Sequence, residues 1–387
     1  MGLLGMNKCL PIALDLGSRT IRMMQFELVG KSFRVLAADS WRYPGSVGSD
    51  AAERRNAAVQ AVREMLQKGK FKGRQVVTAL SCKEIDIKNL RLPKVAAGQL
   101  DQAVWAEAAE RYDFPLEGNQ LHYLNAGDVR SGAETQNEII MLAATKENIE
   151  QHVEMVSDMG LVPEYVEAEP IALFRILERF LRRRSDANTV SVLVEVGQSG
   201  TRVIVTRGRD IVFIKAIDIG GAQFTEAVAR NVNLGYEEAA ELRRRSTLSA
   251  GRRHDDKNDA DEQAERTSVD WTVRDSLRSE VEALRQEVVL CLRYCSVTFR
   301  GLRPQKINLV GGEARDSIFM EVFREQLNME CEAADPLREV DTSSVDLGVR
   351  RGEIPTDWAL CTGLAIRTVN LSELREEEGD EADRLSA

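Results

Sequence analysis

The sequence predicts an α/β protein of two domains, with a small α+β module inserted into the first. Three observations carry that expectation. A length of 387 residues exceeds what one hydrophobic core usually organises. Strand-like runs alternate with helical stretches along most of the chain. Finally, one phrase is written twice. Asp15-Leu16-Gly17-Ser18 and Glu195-Val196-Gly197-Gln198 each close a strand-like run, residues 12–14 and 192–194, with an acid, a glycine and small polar residues. In each copy a second run returns with period-two alternation: Thr20, Ile21, Arg22, Met23 in one, Thr201, Arg202, Val203, Ile204 in the other. That is a strand, a tight polar turn and a returning strand.

The elements follow in order. The first domain opens with strands over 12–14, 21–27 and 33–37. A helix over 52–67 places Ala58, Ala61, Val62, Met65 and Leu66 on one stripe, and 76–80 reads as a buried strand. The texture changes between 83 and 165. There, a strand at 84–90, a helix at 97–112, strands at 120–125 and 138–144 and a closing helix at 146–159 make the inserted α+β module. A helix over 170–184 crosses to the second half and ends in Arg182-Arg183-Arg184, cations that complement a helix C-terminus and form a secondary candidate contact for anionic lipid. Second-domain strands run over 189–195, 202–206 and 210–218. Residues 246–270 are dominated by Arg, Asp, Glu, Ser, Gly and Ala, too polar to offset their ordering entropy, and read as a mobile surface insertion. A long helix over 273–300 has Leu277, Val281, Leu284, Val288 and Leu292 on its core face. The tail from 370 turns acidic and reads as disordered.

The duplicated turn is where chemistry is legible. Glycine lets a turn approach a ligand closely, and turn amides can donate to phosphate oxygens. The carboxylate at the strand end can hold a magnesium ion, directly or through water. Either turn alone is more often a plain hairpin, because turn chemistry explains Gly and Ser without a ligand. Two such turns facing each other would clamp a nucleotide's phosphates. A third element, the strand 306–310 running into Gly311-Gly312-Glu313 and a helix over 317–327, suits close approach to a base and sugar. A further pair, Gly220-Gly221, follows the strand over 212–219 and opens another helix.

In this order the set resembles the actin-like (ribonuclease H-like) ATPase fold, and within it the type IV pilus assembly protein PilM family. The opening residues 1–5 with Leu10-Pro11-Ile12-Ala13-Leu14-Asp15-Leu16-Gly17-Ser18 resemble that family's start. Leu92-Pro93-Lys94 and Tyr112-Asp113-Phe114-Pro115-Leu116-Glu117 resemble its inserted subdomain, and Val166-Glu167-Ala168-Glu169-Pro170-Ile171-Ala172-Leu173 the helix leading out of it. Ile217-Asp218-Ile219-Gly220-Gly221, Phe224-Thr225-Glu226-Ala227-Val228-Ala229 and Tyr236-Glu237-Glu238-Ala239-Ala240-Glu241-Leu242-Arg243 resemble the second-domain signature, and 359–367 the closing helix. The resemblance runs from about residue 1 to 369.

It implies a domain plan: 1–82 with 166–188 as the first domain, 83–165 as the module, 189–356 as the second, and 357–369 returning to the first. It implies ATP and Mg2+ as cofactors. Asp15, Gly17, Ser18, Arg19 and Thr20 would form the first phosphate hairpin, and Glu195, Gly197, Gln198, Ser199 and Thr201 the second, with Asp15 and Glu195 at the metal. Gly220 and Gly221 would lie near the nucleotide, Gly311, Gly312 and Glu313 at the adenosine, and Arg243 where the family usually has a lysine near the adenine. Two further departures stand out. Relatives usually have Asp in place of Glu195, whose carboxylate reaches on the order of 1.5 Å further. They commonly have glycine in place of Glu313, where a carboxylate adds repulsion unless it points at the ribose. Weak or absent hydrolysis is therefore expected. The implied partner is a cytoplasmic N-terminal peptide of an inner-membrane, PilN-like protein, docked between the first domain and the module, with pilus motor ATPases as further partners. The alternatives are a filament-forming division or cell-shape protein and a sugar or acyl kinase of the same superfamily.

Composition sets limits on these readings. A formal charge of −10 argues against a dedicated nucleic-acid binder. Of six cysteines only Cys291 and Cys295 are close, at helical rather than metal-site spacing, and His122, His152 and His254 are scattered. Reduced, buried cysteines are expected. No run of about 18 apolar residues, signal peptide or myristoylation pattern appears, so a cytoplasmic protein reaching the inner membrane only through partners is expected.

Overall fold

A computed structural model describes residues 7–45, 50–96, 98–131, 134–181, 184–250, 260–299, 304, 306–327, 329–350 and 352–371. Strands β1 (Lys8–Leu16), β2 (Thr20–Val29) and β3 (Ser32–Arg42) form an antiparallel meander. After α1 (Ala51–Lys68), β4 (Gln75–Leu80) returns parallel to β1. Next come β5 (Ile85–Pro93), α2 (Leu100–Arg111), β6 (Leu121–Ser131) and β7 (Glu134–Ala144), whose strands make a separate antiparallel sheet in the order β5-β7-β6. α3 (Lys146–Asp158) leads to β8 (Val162–Ala168), which pairs parallel with β4, and α4 (Glu169–Glu178) leads out.

The second half repeats the plan. β9 (Val190–Val196), β10 (Thr201–Arg207) and β11 (Asp210–Ile217) form a second meander, followed by α5 (Gly221–Val232), α6 (Tyr236–Ala250) and α7 (Ala260–Thr298). β12 (Lys306–Val310) then returns parallel to β9, and α8 (Ser317–Gln326) connects it to a parallel β13 (Glu330–Ala333). The short β14 (Val340–Asp341) crosses back to pair with β3, and α9 (Ala359–Ala365) packs beside β1 and β2. The sheet orders are β14-β3-β2-β1-β4-β8 and β11-β10-β9-β12-β13. The repeated phrase in the sequence is thus the first hairpin of a repeated sheet.

Packing follows the patterns. The α1 stripe of Ala58, Ala61, Val62, Met65 and Leu66 is buried as its spacing requires, largely against Ile12, Leu14, Ile21 and Met23. Asp50 caps the helix by accepting from Glu53 N at 2.8 Å. The core face of α7 is likewise buried from Val273 through Leu292.

The inserted module differs from expectation at its end. Val156 of α3 and the following Met159 join the α1 cluster, and β8 completes the first sheet, so the helix over 146–159 belongs to the first domain. The reason is topological: a strand parallel to β4 needs a crossover, and α3 supplies it. β8 itself escaped sequence reading because Pro163, Glu164 and Glu167 break its apolar pattern. An edge strand tolerates them.

The module's sheet also packs on the second domain. Ala126, Val129, Ile140 and Leu142 share one cluster with Val203, Val205, Phe213 and Ile214, and Asn89 Nδ2 donates to Ile214 O at 3.3 Å. Its other face holds α2 through Val104, Ala108 and Tyr112.

Of the expected surface insertion, 246–250 and 260–270 lie in α6 and α7, and Ser246 is buried. Residues 251–259 lie outside the described residues, as do 372–387 of the tail and Arg182 and Arg183 of the basic run. α4 and α9 cross where Gly363 faces Ala172, so closely that a Cβ at 363 would overlap the Ala172 carbonyl.

Candidate functional site

Both acidic hairpins open onto one cavity of about 670 Å³, lined from both domains. Asp15, Gly17, Ser18, Arg19 and Thr20 line one side. Glu195, Gly197, Gln198 and Ser199 line the other, with Arg243, Gly311, Gly312 and Glu313 beyond them. Thr201, Gly220 and Gly221 hold the second hairpin in place: Thr201 Oγ1 donates to Ile219 O at 2.7 Å, and Gly221 N and Ala222 N donate to Gly197 O and Gln198 O at 2.9 and 2.8 Å. A Cβ on Gly220 would stand 2.5 Å from Gly197 O, so this glycine serves the packing of hairpin on helix. Gly311 has φ +95°, which side-chain-bearing residues rarely adopt, and a Cβ there would stand 2.5 Å from Val196 O. Thr356 fixes that turn, accepting from Gly311 N and donating back to Gly311 O, both at 2.9 Å.

The floor of the cleft is a charge lattice. Antiparallel register sets Arg22 opposite Asp15 and Arg202 opposite Glu195. Arg202 bridges Glu195 at 3.1 Å and Glu169, the first residue of α4, at 2.8 Å, and Glu169 also accepts from Cys82 N at 3.0 Å. Arg22 binds Asp357 at 2.6 Å and stands 3.9 Å from Asp15; Arg315 reaches the same Asp357 oxygen at 3.1 Å. Burial, partly offset by these arginines, raises the pKa of Asp15 to about 6 and of Glu195 to about 7. Asp357 Oδ1 is buried with no hydrogen-bond partner among the described residues. Sequence reading missed Arg22, Arg202, Glu169 and Asp357. The first two carried a usable signal, since each copy of the repeated phrase places an arginine at the same offset from its acid.

Arg243 and Glu313, two departures from the family pattern, meet each other. Arg243 Nη2 binds Glu313 at 2.5 Å and Asp316 at 2.8 Å, while Nη1 donates to Thr225 Oγ1 at 3.0 Å. The repulsion expected of Glu313 is therefore neutralised within the protein, and its carboxylate faces this guanidinium. Asp316 also caps α8, accepting from Ile318 N at 2.9 Å, which fixes the group to a helix end.

Among the described residues no group of three or more His, Cys, Asp or Glu side chains is placed to hold a metal. The donor set fits Mg2+ shared with phosphates, which characteristically takes one or two carboxylates plus substrate oxygens. Asp15 and Glu195 would supply them: Asp15 is buried and Glu195 half-buried, and loss of solvent raises the pKa of each.

Comparison with known proteins agrees with this architecture. The family model described as type IV pilus assembly protein PilM matches residues 13–369. The solved structure of a PilM-PilN type IV pilus biogenesis complex is similar at 23% identity with a TM-score of 0.72, over 93% of this chain and 98% of that one. The ethanolamine utilization protein EutJ from Carboxydothermus hydrogenoformans is similar at 16% identity and a TM-score of 0.51, over 93% and 89%. The fold is the actin-like one with its inserted module. Among the described residues no helix is long and apolar enough to cross a membrane. With its family model matched over nearly the whole length, the chain belongs to the type IV pilus assembly protein PilM family and has its role in type IV pilus assembly.

Proposed function

We propose that the cleft binds ATP with Mg2+ and that the protein is an adaptor, docking a cytoplasmic peptide of an inner-membrane partner and so lying peripherally at that membrane. The observation that carries the nucleotide half is the pair of acidic hairpins on one cavity, with Asp15 buried, Glu195 half-buried, both with raised pKa values, and Asp357 Oδ1 unpartnered among the described residues. Backbone donors on the hairpins would take the phosphates, Asp15 and Glu195 the cation, which offsets phosphate charge, and the Gly311 turn the nucleoside. Turnover is slow on this reading. Glu195 and Glu169, the acids nearest to serving as a base, are both bound to Arg202.

The partner half is supported by the pairing of PilM with PilN in the similar complex. In this protein β8 is the open edge of the first sheet, with Val162 59% and Tyr165 40% exposed. Arg367 lies over the Tyr165 ring at 4.7 Å and binds Glu167 at 3.3 Å. Across the gap His122 on β6 of the module has its pKa lowered by burial and by Arg367. An extended peptide adding to this edge would gain main-chain hydrogen bonds from β8 and side-chain contacts from both flanks. Calorimetry with Mg-ATP and capture of a PilN-like N-terminal peptide test the two halves separately. Absence of ATP binding removes the first; peptide capture unchanged by Val162→Lys with Tyr165→Ala removes the β8 assignment.

A further inference from the structure

The outer end of the cleft holds more positive charge than the two hairpins require. β3 ends at Arg42, whose partner on β2 is Thr20, the residue that closes the turn of the first hairpin. Tyr43 N donates to Arg19 O at 3.1 Å, so this strand end is tied to that hairpin. Arg19 and Arg42 line the cavity from the first domain and Arg244 lines it from α6 of the second. Arg244 is paired with Glu241 at 2.6 Å. The Arg42 guanidinium makes no hydrogen bond or ion pair with any described residue. Arg42 is an exposed residue whose guanidinium is partly desolvated at the cleft mouth; that desolvation, then Arg19 and Arg244, lower its pKa, while Glu237 opposes them. A guanidinium held among others, with one carboxylate to share, marks a place short of negative charge.

Glu237 reaches that place from the opposite domain. It opens α6 beside Tyr236, whose hydroxyl accepts from Gln198 Nε2 at 2.7 Å and whose ring lies 5.9 Å from the Arg19 guanidinium. The Glu237 carboxylate ends 3.6 Å from Arg19 Nη2, and its stem packs against the Gly45 backbone, where a Cβ would stand 3.0 Å from Glu237 Cγ. The second domain thus places an acid among the first domain's cations, at the mouth of a cleft built for anions.

We propose that the space among Arg19, Arg42 and Arg244 is a binding site for a phosphate-class oxyanion, and that Glu237 fills it as an internal surrogate which an incoming phosphate displaces. The proposal rests on the nucleotide reading for the identity of the ligand: the oxyanion is then a phosphate of the bound nucleotide, and inorganic phosphate presents the same chemistry. Displacement breaks the Arg19–Glu237 pair, an ion pair between the domains. Occupancy of the cleft is thereby linked to how the domains hold each other.

The test is calorimetry on the full chain with Mg-ATP, Mg-ADP, adenosine and inorganic phosphate. Wild type is compared with Arg42→Ala, Arg42→Lys, Glu237→Gln and Asp15→Asn, each checked for unchanged circular dichroism. Arg42→Ala should weaken the phosphate-bearing ligands by roughly tenfold, with Arg42→Lys between, and Glu237→Gln should tighten them by about threefold to tenfold. Adenosine affinity should not move. If the opposite shifts appear for ATP or ADP, the source is the nucleotide; if for inorganic phosphate alone, it is the free ion. Both support the site. Arg42 and Glu237 variants that shift all ligands in the same sense, or shift none, overturn it, as does a wild type that binds no phosphate ligand. Asp15→Asn abolishing ATP binding while those variants are silent leaves the nucleotide reading standing and removes the site. Phosphate binding that follows Arg42 and Glu237 in a protein blind to ATP does the reverse.

Discussion

At the scale of single residues, the cleft is decided by which charges are matched inside the protein and which await a ligand. Asp15 is 8% exposed, and its pKa of about 6 shows that Arg22 does not fully offset its burial. Asp15→Ala should therefore weaken Mg-ATP binding by about tenfold or more, and Ser199→Ala by less, because only the former removes charge from the metal's place. Isothermal titration of both variants checks the ranking. Arg243 is the opposite case, its Nη2 matched inside the protein by Glu313 and Asp316. Arg243→Ala leaves the buried Asp316 and the half-buried Glu313 facing each other and should cost about 3–5 kcal/mol of stability. Adding Glu313→Ala should recover part of that loss, because one of the stranded charges goes with it. Urea denaturation of the single and double variants measures the recovery, and strict additivity would show that the pair does not interact.

At the scale of elements, the inserted module is held by the second domain as well as by its connections to the first. Glu138 on β7 is 1% exposed and accepts from Arg91 Nε at 2.8 Å and from the Tyr294 hydroxyl on α7. Glu138→Ala should destabilise the protein by about 1–3 kcal/mol, the range for stranding buried polar partners. Thermal unfolding checks this, and Glu138→Gln, which keeps acceptor capacity, should cost less. The crossing of α4 and α9 is sharper still, since a side chain at Gly363 would meet the Ala172 carbonyl. Gly363→Val should abolish soluble expression or lower Tm markedly, because neither helix can retreat from the strands beneath it. Removal of the module must stop before Lys146: α3 and β8 carry the first domain's crossover and edge strand.

At the scale of the whole molecule, the two raised carboxylates link ligand, pH and stability. Burial disfavours their charged forms, so the folded protein retains protons that the unfolded chain releases above the ordinary carboxylate range. Their contribution to stability is therefore largest below that range and is lost as pH rises through about 6 and 7. A bound magnesium nucleotide needs both deprotonated, so its affinity should fall by about tenfold or more between pH 8 and pH 5.5. Tm measured across this range with and without Mg-ATP should show ligand stabilisation shrinking toward acid. Asp15→Asn with Glu195→Gln should remove the unliganded protein's share of the slope.

The sequence by itself determined the duplicated hairpin and the two-domain α/β plan, and it named the hairpin and Gly311-turn residues that line part of the cleft. Those features are local, and a strand end, a turn glycine and a periodic helix face announce themselves within a few residues. The apolar stripes of α1 and α7 were legible for the same reason. Tertiary structure alone decided what faces what. It gave Thr201, Gly220 and Gly221 their hold on the second hairpin, gave α3 and the proline-bearing β8 to the first domain, and turned Glu313 toward Arg243. It also brought Glu169, Asp357 and Arg42 to the cleft from elements far apart in the chain. Charges separated by hundreds of residues carry no mark of their partners in sequence. Only the folded backbone sets the distances and burial that give each one its energy.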